Sequence, residues 1–319
     1  MSSRANALLA FQKNNWQLLQ DNYNNLLQVQ TKDLKYGDFI IKVQHNPERI
    51  KSTTTDLSNS LTDSDNSILH YNNLPAEQKA LHYYKDYLIL CNPYPIFQEH
   101  FTIPSVSPKP QLILNHFKDM LFLGRDIHRH HFVFYNGPEC GASTPEHLHF
   151  QAGSKNIMPI DDEYDRVKKS HTEAILLNDK LQIYFSKNYL RNFISLESHS
   201  VEELQKGFNQ LYLIMSKVYP NHQEPPMNIL VNYDKSWRVI IFLRTKHRPS
   251  YFFLEGQSKI IVSPGAVDMG GLLILPREED FNKITKENIV EVYRQVTSTR
   301  EQIEFIKRRV LEAQYFTKT

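Results

Sequence analysis

The sequence predicts an α+β fold built from two similar halves, in which helices pack on antiparallel sheets. The first half has a run with helical spacing, then a strand, a small-residue turn and a second strand (HHFVFYNGPECGASTPEHLHFQAG). The second half repeats this order with the helix VEELQKGFNQLYLIMSKVY and the hairpin MNILVNYDKSWRVIIFLRT. No linker rich in Pro, Gly or Ser separates them. We therefore expect one fused domain, with an N-terminal helix in residues 1–30 and halves spanning 31–155 and 156–319.

The elements of the first half follow from local patterns. The start, MSSRANALLAFQKNNWQLLQ, has a short apolar run followed by polar residues, which predicts an amphipathic helix rather than a signal peptide. GDFIIKVQHNPERI alternates apolar and polar residues and predicts a strand that ends at a proline, whereas KSTTTDLSNSLTDSDNS is typical of a mobile surface loop. YLILCNPYPIFQEHFTIPS predicts two strands, and PKPQLILNHFKDMLFLGRD predicts a helix.

The elements of the second half are predicted in the same way. Its hairpin is expected to turn at residues 234–236, where Asp, Lys and Ser interrupt two apolar runs. SKIIVSP and GGLLILP predict two further strands, and ENIVEVYRQVTSTREQIEFIKRRVLEAQ predicts a closing helix. The halves therefore share a pattern, although few of their residues are identical.

Composition and charge exclude several classes of protein. The 319 residues include 40% apolar and 23% charged residues, and the net charge of +2 is too small for a surface that binds nucleic acid or anionic membranes. No run reaches the roughly 18 apolar residues of a membrane span. Cys91 and Cys140 are far apart, so we expect packing residues in a reducing compartment. These features predict a cytoplasmic protein that binds neither nucleic acid nor membrane.

The most informative stretch is TPEHLHFQAG, residues 144–153. Because alternate side chains of a strand share a face, His147, His149 and Gln151 would form a polar face with Leu148 and Phe150 behind it. Such a face costs core packing and therefore indicates a function. The simpler alternatives are a surface pair of histidines or a chance metal-binding pair.

Neutral imidazole is a competent nucleophile toward phosphorus, and a strand could aim it. The middle residue, His149, is the expected nucleophile because polar groups flank it on its own face. A neighbouring carbonyl could hold its second ring N–H. His147 and Gln151 could then orient His149 and donate hydrogen bonds to phosphate oxygens.

The turn before this strand, GPECGAST, is rich in small residues that could approach a phosphate. Gly141 and either Ser143 or Thr144 could bring backbone N–H groups and a hydroxyl toward the anion. Asn136 could hydrogen-bond the phosphate or a sugar, or could simply begin the turn. The turn and the strand together predict a site for a phosphorylated small molecule.

These motifs resemble the transferase branch of the histidine-triad superfamily, which includes galactose-1-phosphate uridylyltransferase, diadenosine tetraphosphate phosphorylase and the GDP-hexose phosphorylases. HLHFQ after a Gly-x-Ser turn is similar to the motif of that branch. NPYPIFQEHFTIPS and QHNPERIK resemble segments of its first half, and PMNILVNYDKSWRVIIFLR and VSPGAVDMGGLLILPREEDF resemble its C-terminal half. The resemblance implies two fused histidine-triad-like halves.

The resemblance also implies a double displacement. His149 would take a nucleotidyl group from a nucleoside diphosphate sugar or a dinucleoside polyphosphate and pass it to inorganic phosphate or a sugar phosphate. Gln151 stands where hydrolases of the superfamily have a third histidine, and an amide cannot deliver a proton as an imidazolium does. The motif therefore favours a transferase over a hydrolase and implies no cofactor. A non-catalytic nucleotide-binding protein stays an alternative, and either a monomer or a homodimer fits fused halves.

No metal site is expected. Uridylyltransferases of this branch often hold a structural metal with a Cys-x-x-Cys pair, which this sequence lacks. The cluster HRHH offers His128, His130 and His131, but alternation along a strand would put His131 on the opposite face from the other two. We interpret all three as exposed strand histidines without a metal.

The remaining candidates each have a simpler alternative. His100 could contact the nucleotide or be a half-buried core histidine. Arg49 and Lys51, beside the predicted loop, could close over a phosphate or form a solvated pair. The cations of the second hairpin could form a solvated face or reach the acceptor phosphate; they are Arg238, Arg244, Lys246 and Arg248.

Overall fold

The computed structural model describes residues 1–54 and 67–316 of the chain. The helices in these residues are α1 (Ser2–Asn15), α2 (Gln17–Leu26), α3 (Ile50–Thr54), α4 (Phe117–Asp126), α5 (Pro159–His171), α6 (Val201–Val218), α7 (Ala266–Met269), α8 (Glu278–Lys283), α9 (Lys286–Val296) and α10 (Arg300–Phe316). The strands are β1 (Gln30–Tyr36), β2 (Phe39–His45), β3 (Ala80–Tyr83), β4 (Tyr87–Cys91), β5 (His100–Pro104), β6 (His131–Asn136), β7 (His149–Ser154), β8 (Thr172–Leu177), β9 (Gln182–Ser186), β10 (Ile194–Ser198), β11 (Met227–Asp234), β12 (Ser236–Leu243) and β13 (Leu272–Leu275). Most of the predicted surface loop, residues 55–66, lies outside the described part.

Ten strands form one continuous sheet in the order β3-β4-β5-β7-β6-β11-β12-β10-β9-β8. Each half supplies five neighbouring strands, and the halves meet where β6 pairs antiparallel with β11, with Asn136 opposite Asn228. From this centre outward, both halves connect their strands in the same order, and α4 in one half corresponds to α6 in the other. The predicted α+β fold of two similar halves is confirmed. The division at residues 155 and 156 remains a prediction.

A second, three-stranded sheet with the order β1-β2-β13 was not predicted. In it β13 runs parallel to β2, with Leu272 opposite Lys42. Strands that are more than 200 residues apart in the sequence are therefore paired. Of the two strands expected here, GGLLILP forms β13, but SKIIVSP forms no strand. The backbone N–H of Ile261 is satisfied by a carboxylate oxygen of Asp280 at 2.8 Å, so a side chain replaces the strand partner.

Three predicted helices differ from the structure. The N-terminal helix breaks into α1 and α2 at Trp16, whose backbone is extended (φ −139°, ψ 101°). The closing helix breaks into α9 and α10 because Thr297 is extended and the Thr299 hydroxyl accepts the Gln302 N–H at 3.3 Å, which caps a new helix. The run PKPQLILNHFKDMLFLGRD is helical only from Phe117 onward. No helix in the described residues combines the length and apolarity that a membrane span needs.

Alternating side chains of the large sheet pack into two cores, one on each face. Along β6, Val133 belongs to the core with α4 and α6, whereas Phe134 belongs to the core beneath the small sheet. On β7, Phe150 packs in the first of these cores. His149 and Gln151 therefore face the side of the second core and the small sheet.

Glu224, a buried carboxyl group of the second half, is hydrogen-bonded to two groups of the first. It accepts the Ile113 N–H at 2.6 Å and the Tyr135 hydroxyl at 2.8 Å. Burial raises the pKa of Glu224 to about 8, although both hydrogen bonds act to lower it. The carboxyl is therefore neutral in the folded protein at pH 7, while an unfolded chain would ionise it above its ordinary value of 4.5.

We expect this group to make unfolding pH-dependent. Because the pKa is raised on folding, its contribution to stability is full below pH 4.5 and is lost as the pH rises toward 8. In Glu224→Gln, which cannot ionise, the free energy of unfolding should lose this dependence. The difference between wild type and variant, measured by urea unfolding from pH 5 to 8, should change by up to about 1.4 kcal/mol per pH unit. A difference that stays constant over this range contradicts a neutral Glu224.

Candidate active site

The strand that carries the HLHFQ motif opens onto a cavity of about 710 Å³. β7 lies between β5 and β6, so both of its edges are hydrogen-bonded within the sheet. His149 begins this strand and Gln151 follows two positions later, and both side chains line the cavity. Leu148 and Phe150 are buried on the other face. A strand paired on both edges holds the direction of His149 more rigidly than a loop would.

The His149 ring is nearly buried and is held by the backbone. Its Nδ1 lies 2.8 Å from the carbonyl oxygen of His147, which can only accept, so Nδ1 carries the proton. Nε2 is then the unprotonated nitrogen available to the cavity. Burial lowers the pKa of His149 to about 4, so the ring is neutral at neutral pH. These are the conditions under which an imidazole can act as a nucleophile.

Gln111, which lies outside the motif, clamps the start of β7. Its Oε1 accepts the His149 N–H at 2.8 Å, and its Nε2 donates to the carbonyl oxygens of His149 and Asn136 at 3.0 and 2.9 Å. The side chain is buried, so water cannot replace these bonds. Sequence analysis missed Gln111 because it placed this residue inside a helix.

His147 lies just before β7 rather than on it, which corrects the predicted shared face. Its Nε2 donates to the carbonyl oxygen of Ser105 at 2.7 Å, and its Nδ1 lies 3.2 Å from the Ser67 hydroxyl. The ring is fully buried and does not line the cavity, so it is not placed to donate to a phosphate there. The contact of His147 with His149 is made by its backbone carbonyl.

His100 is fully buried behind Gln151 rather than half-buried or exposed to the cavity. Its Nδ1 accepts the Ile96 N–H at 3.1 Å, so Nε2 carries the proton and donates to Gln151 Oε1 at 3.0 Å. Burial, and then the nearby charge of Arg49, lower the pKa of His100 to about 3. Because the amide oxygen of Gln151 is occupied in this way, its NH₂ group is the end left for the cavity.

The turn before β7 also reaches the cavity. Gly141, Ser143 and Thr144 all line it; Ser143 is exposed and Thr144 is buried. Gly141 has a φ of +97°, and a Cβ there would lie 3.0 Å from the Cα of Gly265 in the second half. The turn therefore needs glycine both for its backbone conformation and for the close approach of the other half.

Asn136 ends β6 and joins the two halves. Its Oδ1 accepts from Asn228 Nδ2 at 2.8 Å and from the Ala266 N–H at 2.7 Å. Asn136 is buried and lines the cavity. With both bonds on its oxygen, its amide NH₂ is the end that can serve a ligand.

Three cations line the cavity at Arg49, Lys51 and Arg248. Arg49 donates to the carbonyl oxygen of Tyr94 at 2.9 Å. Burial lowers the pKa of Arg49 to about 10 while the nearby Asp268 raises it, so Arg49 remains charged at neutral pH. The positive charge of these three side chains is suited to an anionic ligand in the cavity.

The other cations of the second hairpin lie elsewhere. Arg244 is fully buried and donates to Asn228 Oδ1 and to backbone carbonyls of Pro264 and Val296, so it belongs neither to a solvated face nor to the lining of the cavity. Arg238 pairs with a surface carboxylate, and Lys246 is exposed. Neither residue lines the cavity.

Sequence analysis assigned no role to several residues of the cavity. His247, Ser263 and Asp268 of the second half line it, more than 90 residues along the chain from the motif. Burial raises the pKa of Asp268 to about 6. Glu146, which lies within the motif, also lines the cavity, and its Oε2 is buried without a hydrogen-bond partner among the described residues. Of these residues, only Glu146 could have been proposed from the sequence, because it lies within the motif itself.

The HRHH cluster is divided between a turn and the start of β6. His128 and His130 are exposed on a turn rather than on a strand, which corrects their predicted position. His131 is buried, with its Nε2 2.9 Å from a carboxylate oxygen of Glu99. Across the described residues, no group of three His, Cys, Asp or Glu side chains could hold a metal ion.

Comparisons with known families divide the chain into two parts. Residues 8–154 match the family described as "Domain of unknown function (DUF4922)". Residues 166–316 match the family described as "GDPGP1-like, C-terminal domain". A search of curated proteins found no match.

Solved structures are similar to this chain at low sequence identity. Yeast Ap4A phosphorylase Apa2 superposes with a TM-score of 0.56 at 15% identity, over 88% of this chain and 96% of that one. The same enzyme in complex with Ap4A gives a TM-score of 0.53 over 89% and 97% of the two chains, also at 15% identity. A uridylyltransferase structure has a TM-score of 0.40 at 13% identity, over 71% and 85% of the two chains. The fold is therefore that of the phosphorylase over nearly the whole of both chains.

Proposed function

We propose that this chain belongs to the transferase branch of the histidine-triad superfamily and is a phosphorylase that transfers a nucleotidyl group through His149. The carrying observation is the His149 ring, whose Nδ1 is held by the His147 carbonyl while Nε2 is left for a cavity lined by cations. A non-catalytic nucleotide-binding protein has no need of a neutral imidazole fixed in this way.

The reaction we propose has two displacements. In the first, the Nε2 lone pair of His149 attacks the α-phosphorus of a nucleotide, the P–N bond forms and the bond to the leaving phosphate oxygen breaks. In the second, an oxygen of inorganic phosphate attacks the same phosphorus, the P–N bond breaks and a nucleoside diphosphate leaves. Gln151 and Asn136 would donate N–H groups to the phosphoryl oxygens, where negative charge develops. A phosphate leaving group needs no proton, which suits an amide at position 151.

Glu146 favours a nucleoside diphosphate sugar as the donor. Its Oε2 is buried and has no hydrogen-bond partner within residues 1–54 and 67–316. Carboxylate oxygens accept hydrogen bonds, and sugar hydroxyls are donors that would satisfy it. The further phosphates of a dinucleoside polyphosphate would instead repel this carboxylate. Such a dinucleotide is the alternative donor, and a sugar phosphate is the alternative acceptor.

The apolar part of the cavity is suited to a nucleobase. The side chains of Trp16, Leu18, Leu74 and Leu90 line it, so the junction between α1 and α2, the helix α2 and the strand β4 contribute. Apolar and aromatic walls of this kind bind the faces of a planar base. Since the cavity is lined from both halves of one chain, we propose that a monomer suffices for activity. Cytoplasmic localisation stays a prediction.

The mass of the intact protein provides the direct test. The protein would be incubated, without phosphate, with GDP-, UDP- and ADP-hexoses and with diadenosine tetraphosphate. We expect a gain of one nucleoside monophosphate with one of these donors, which is acid-labile and is lost on addition of phosphate. Tight nucleotide binding without any adduct contradicts the covalent mechanism and favours the binding protein; loss of the adduct in water alone favours a hydrolase.

The rate of adduct formation should stay constant in mildly acidic solution and fall only at low pH. Because burial lowers the pKa of His149 to about 4, its Nε2 stays unprotonated well below the ordinary histidine pKa of 6.5. We therefore expect a rate that is constant from about pH 5.5 to 8 and falls only as the pH approaches 4. The mass of the intact protein in samples quenched at successive times, across this pH range, would give the rate. A rate that halves near pH 6.5 contradicts a buried, neutral nucleophile.

A further inference from the structure

Three polar side chains of the second half meet at the cavity beside the turn that precedes β7. They are His247, Arg248 and Ser263, and all three line the cavity together with His149. His247 contacts the turn through Gly141, which lies against Gly265 of the second half. The double displacement described above assigns them no role.

The hydrogen bond between the Gly141 N–H and His247 determines which ring nitrogen of His247 carries the proton. Its Nδ1 lies 3.3 Å from the backbone nitrogen of Gly141, and a backbone N–H can only donate, so Nδ1 bears a lone pair. Burial, followed by the charges of Arg248 and Arg244, lowers the pKa of His247 to about 4, while the nearby Glu139 carbonyl acts to raise it. The ring is therefore neutral at neutral pH, with its proton on Nε2.

Ser263 receives two hydrogen bonds from these neighbours. The Nε2–H of His247 points at Ser263 Oγ, 3.3 Å away, and Arg248 Nε donates to the same oxygen at 3.2 Å. A hydroxyl oxygen has two lone pairs, and both are occupied. The Ser263 O–H is consequently a donor. Among the described residues no acceptor is hydrogen-bonded to it, and the side chain lines the cavity.

The Arg248 guanidinium is held in place from other sides. Its NH2 donates to the Thr53 carbonyl oxygen at 2.9 Å, and the group lies 4.2 Å from the centroid of the Phe252 ring. A fixed cation next to a forced hydroxyl donor is complementary to an anion that offers several acceptor oxygens. A phosphate group has this chemistry.

We propose that Ser263, positioned by His247 and Arg248, forms the subsite that binds the phosphate which leaves in the first displacement and the inorganic phosphate which enters in the second. This inference rests on the proposed function. One subsite serves both phosphates because each lies on the far side of the transferred phosphorus from His149. In this proposal the transferred phosphoryl group contacts β7 of the first half. The subsite for the other phosphate lies in the second half, because Ser263, His247 and Arg248 belong to it.

The proposal predicts a selective loss of phosphate affinity in Ser263→Ala. The nucleotidyl-enzyme would be formed, freed of donor and mixed with increasing inorganic phosphate, and the loss of the adduct would be followed by mass. The phosphate concentration that gives half the maximal rate should rise about 10- to 100-fold, as expected when a hydrogen bond to a charged group is removed. Ser263→Thr, which keeps the hydroxyl, should recover much of this loss.

Ser216→Ala is a matched control, because Ser216 lies in α6 and donates to the Tyr212 carbonyl away from the cavity. Its dependence on phosphate should equal that of the wild type. If Ser263→Ala consumes the adduct with the same phosphate dependence as Ser216→Ala, the subsite is wrong even though the covalent mechanism stands.

A second measurement separates this inference from the proposed function. Inorganic phosphate alone should raise the melting temperature of the nucleotide-free protein. In Ser263→Ala this rise, measured from the variant's own melting temperature in phosphate-free buffer, should be smaller. If no donor gives an adduct but this difference is seen, the subsite stands and the covalent mechanism fails. Equal shifts in wild type and Ser263→Ala overturn the subsite whatever the adduct shows.

Discussion

In His149→Ala, we expect no nucleotidyl adduct with any donor and a fall in phosphorolysis of at least about 10⁴-fold. Alanine removes the only nitrogen of β7 that is both unprotonated and available to the cavity. Nucleotide binding should change much less, because the cations and the apolar wall are untouched. Equilibrium binding and adduct mass, measured on the same preparation, would show this separation.

His128→Ala is the matched control for this experiment. His128 is exposed on the turn before β6 and lies outside the cavity, so its loss should change neither the adduct nor the binding. Adduct formation that persists in His149→Ala would transfer the role of nucleophile to another residue. Peptide mapping of the wild-type adduct would then identify it.

In Gln111→Leu, we expect both a lower stability of the fold and a slower formation of the nucleotidyl adduct. Leucine fills a similar volume but leaves the N–H and the carbonyl of His149, and the carbonyl of Asn136, without partners in a buried place. Stranded backbone groups of this kind should lower the free energy of unfolding by about 2–4 kcal/mol. Because the start of β7 also loses its anchor, the rate of adduct formation should fall about tenfold or more.

Urea unfolding and single-turnover adduct formation, both at a temperature where Gln111→Leu is folded, would test the two effects. Gln205→Leu is a suitable control, since the Gln205 amide bonds only Asn209 on the surface of α6 among the residues described. A variant that is less stable but forms the adduct at the wild-type rate would make Gln111 a structural residue and not a positioning one.

The two halves of the chain have the same topology but carry different chemistry. β12 occupies in the second half the place of β7 in the first, since each pairs with the central strand and with one further strand of its half. The sequence of β12, SWRVIIFL, contains no histidine. We propose that the first half supplies the nucleophile, whereas the second supplies the phosphate subsite at Ser263 and supports the first through Glu224 and Asn228.

Much of this arrangement could be predicted from the sequence. The hairpins, the helix α6, the duplicated order of elements and the face of His149 and Gln151 all follow from spacing, because alternation and helical periodicity are properties of near neighbours. The motif likewise indicated His149 as the nucleophile, and a composition without a strong net charge indicated a small-molecule ligand. These predictions need only residues a few positions apart.

Other features depend on contacts between distant segments. His147 and His149 are two residues apart in one motif, yet only the structure shows that His147 faces Ser67 and Ser105 inside the protein. Gln111 belongs to the site only because its segment folds back on β7 rather than continuing a helix. The small sheet likewise exists because β13 reaches β2 across most of the chain.

The sequence by itself therefore determined the fold class, the catalytic strand and the candidate nucleophile. Only the tertiary structure decided which polar groups face the cavity and which are used up inside the protein. The physical reason is that each donor and acceptor can be satisfied once, and its partner is chosen by proximity in space. We propose the Ser263 hydroxyl as a donor to a ligand because His247 and Arg248 fill its lone pairs.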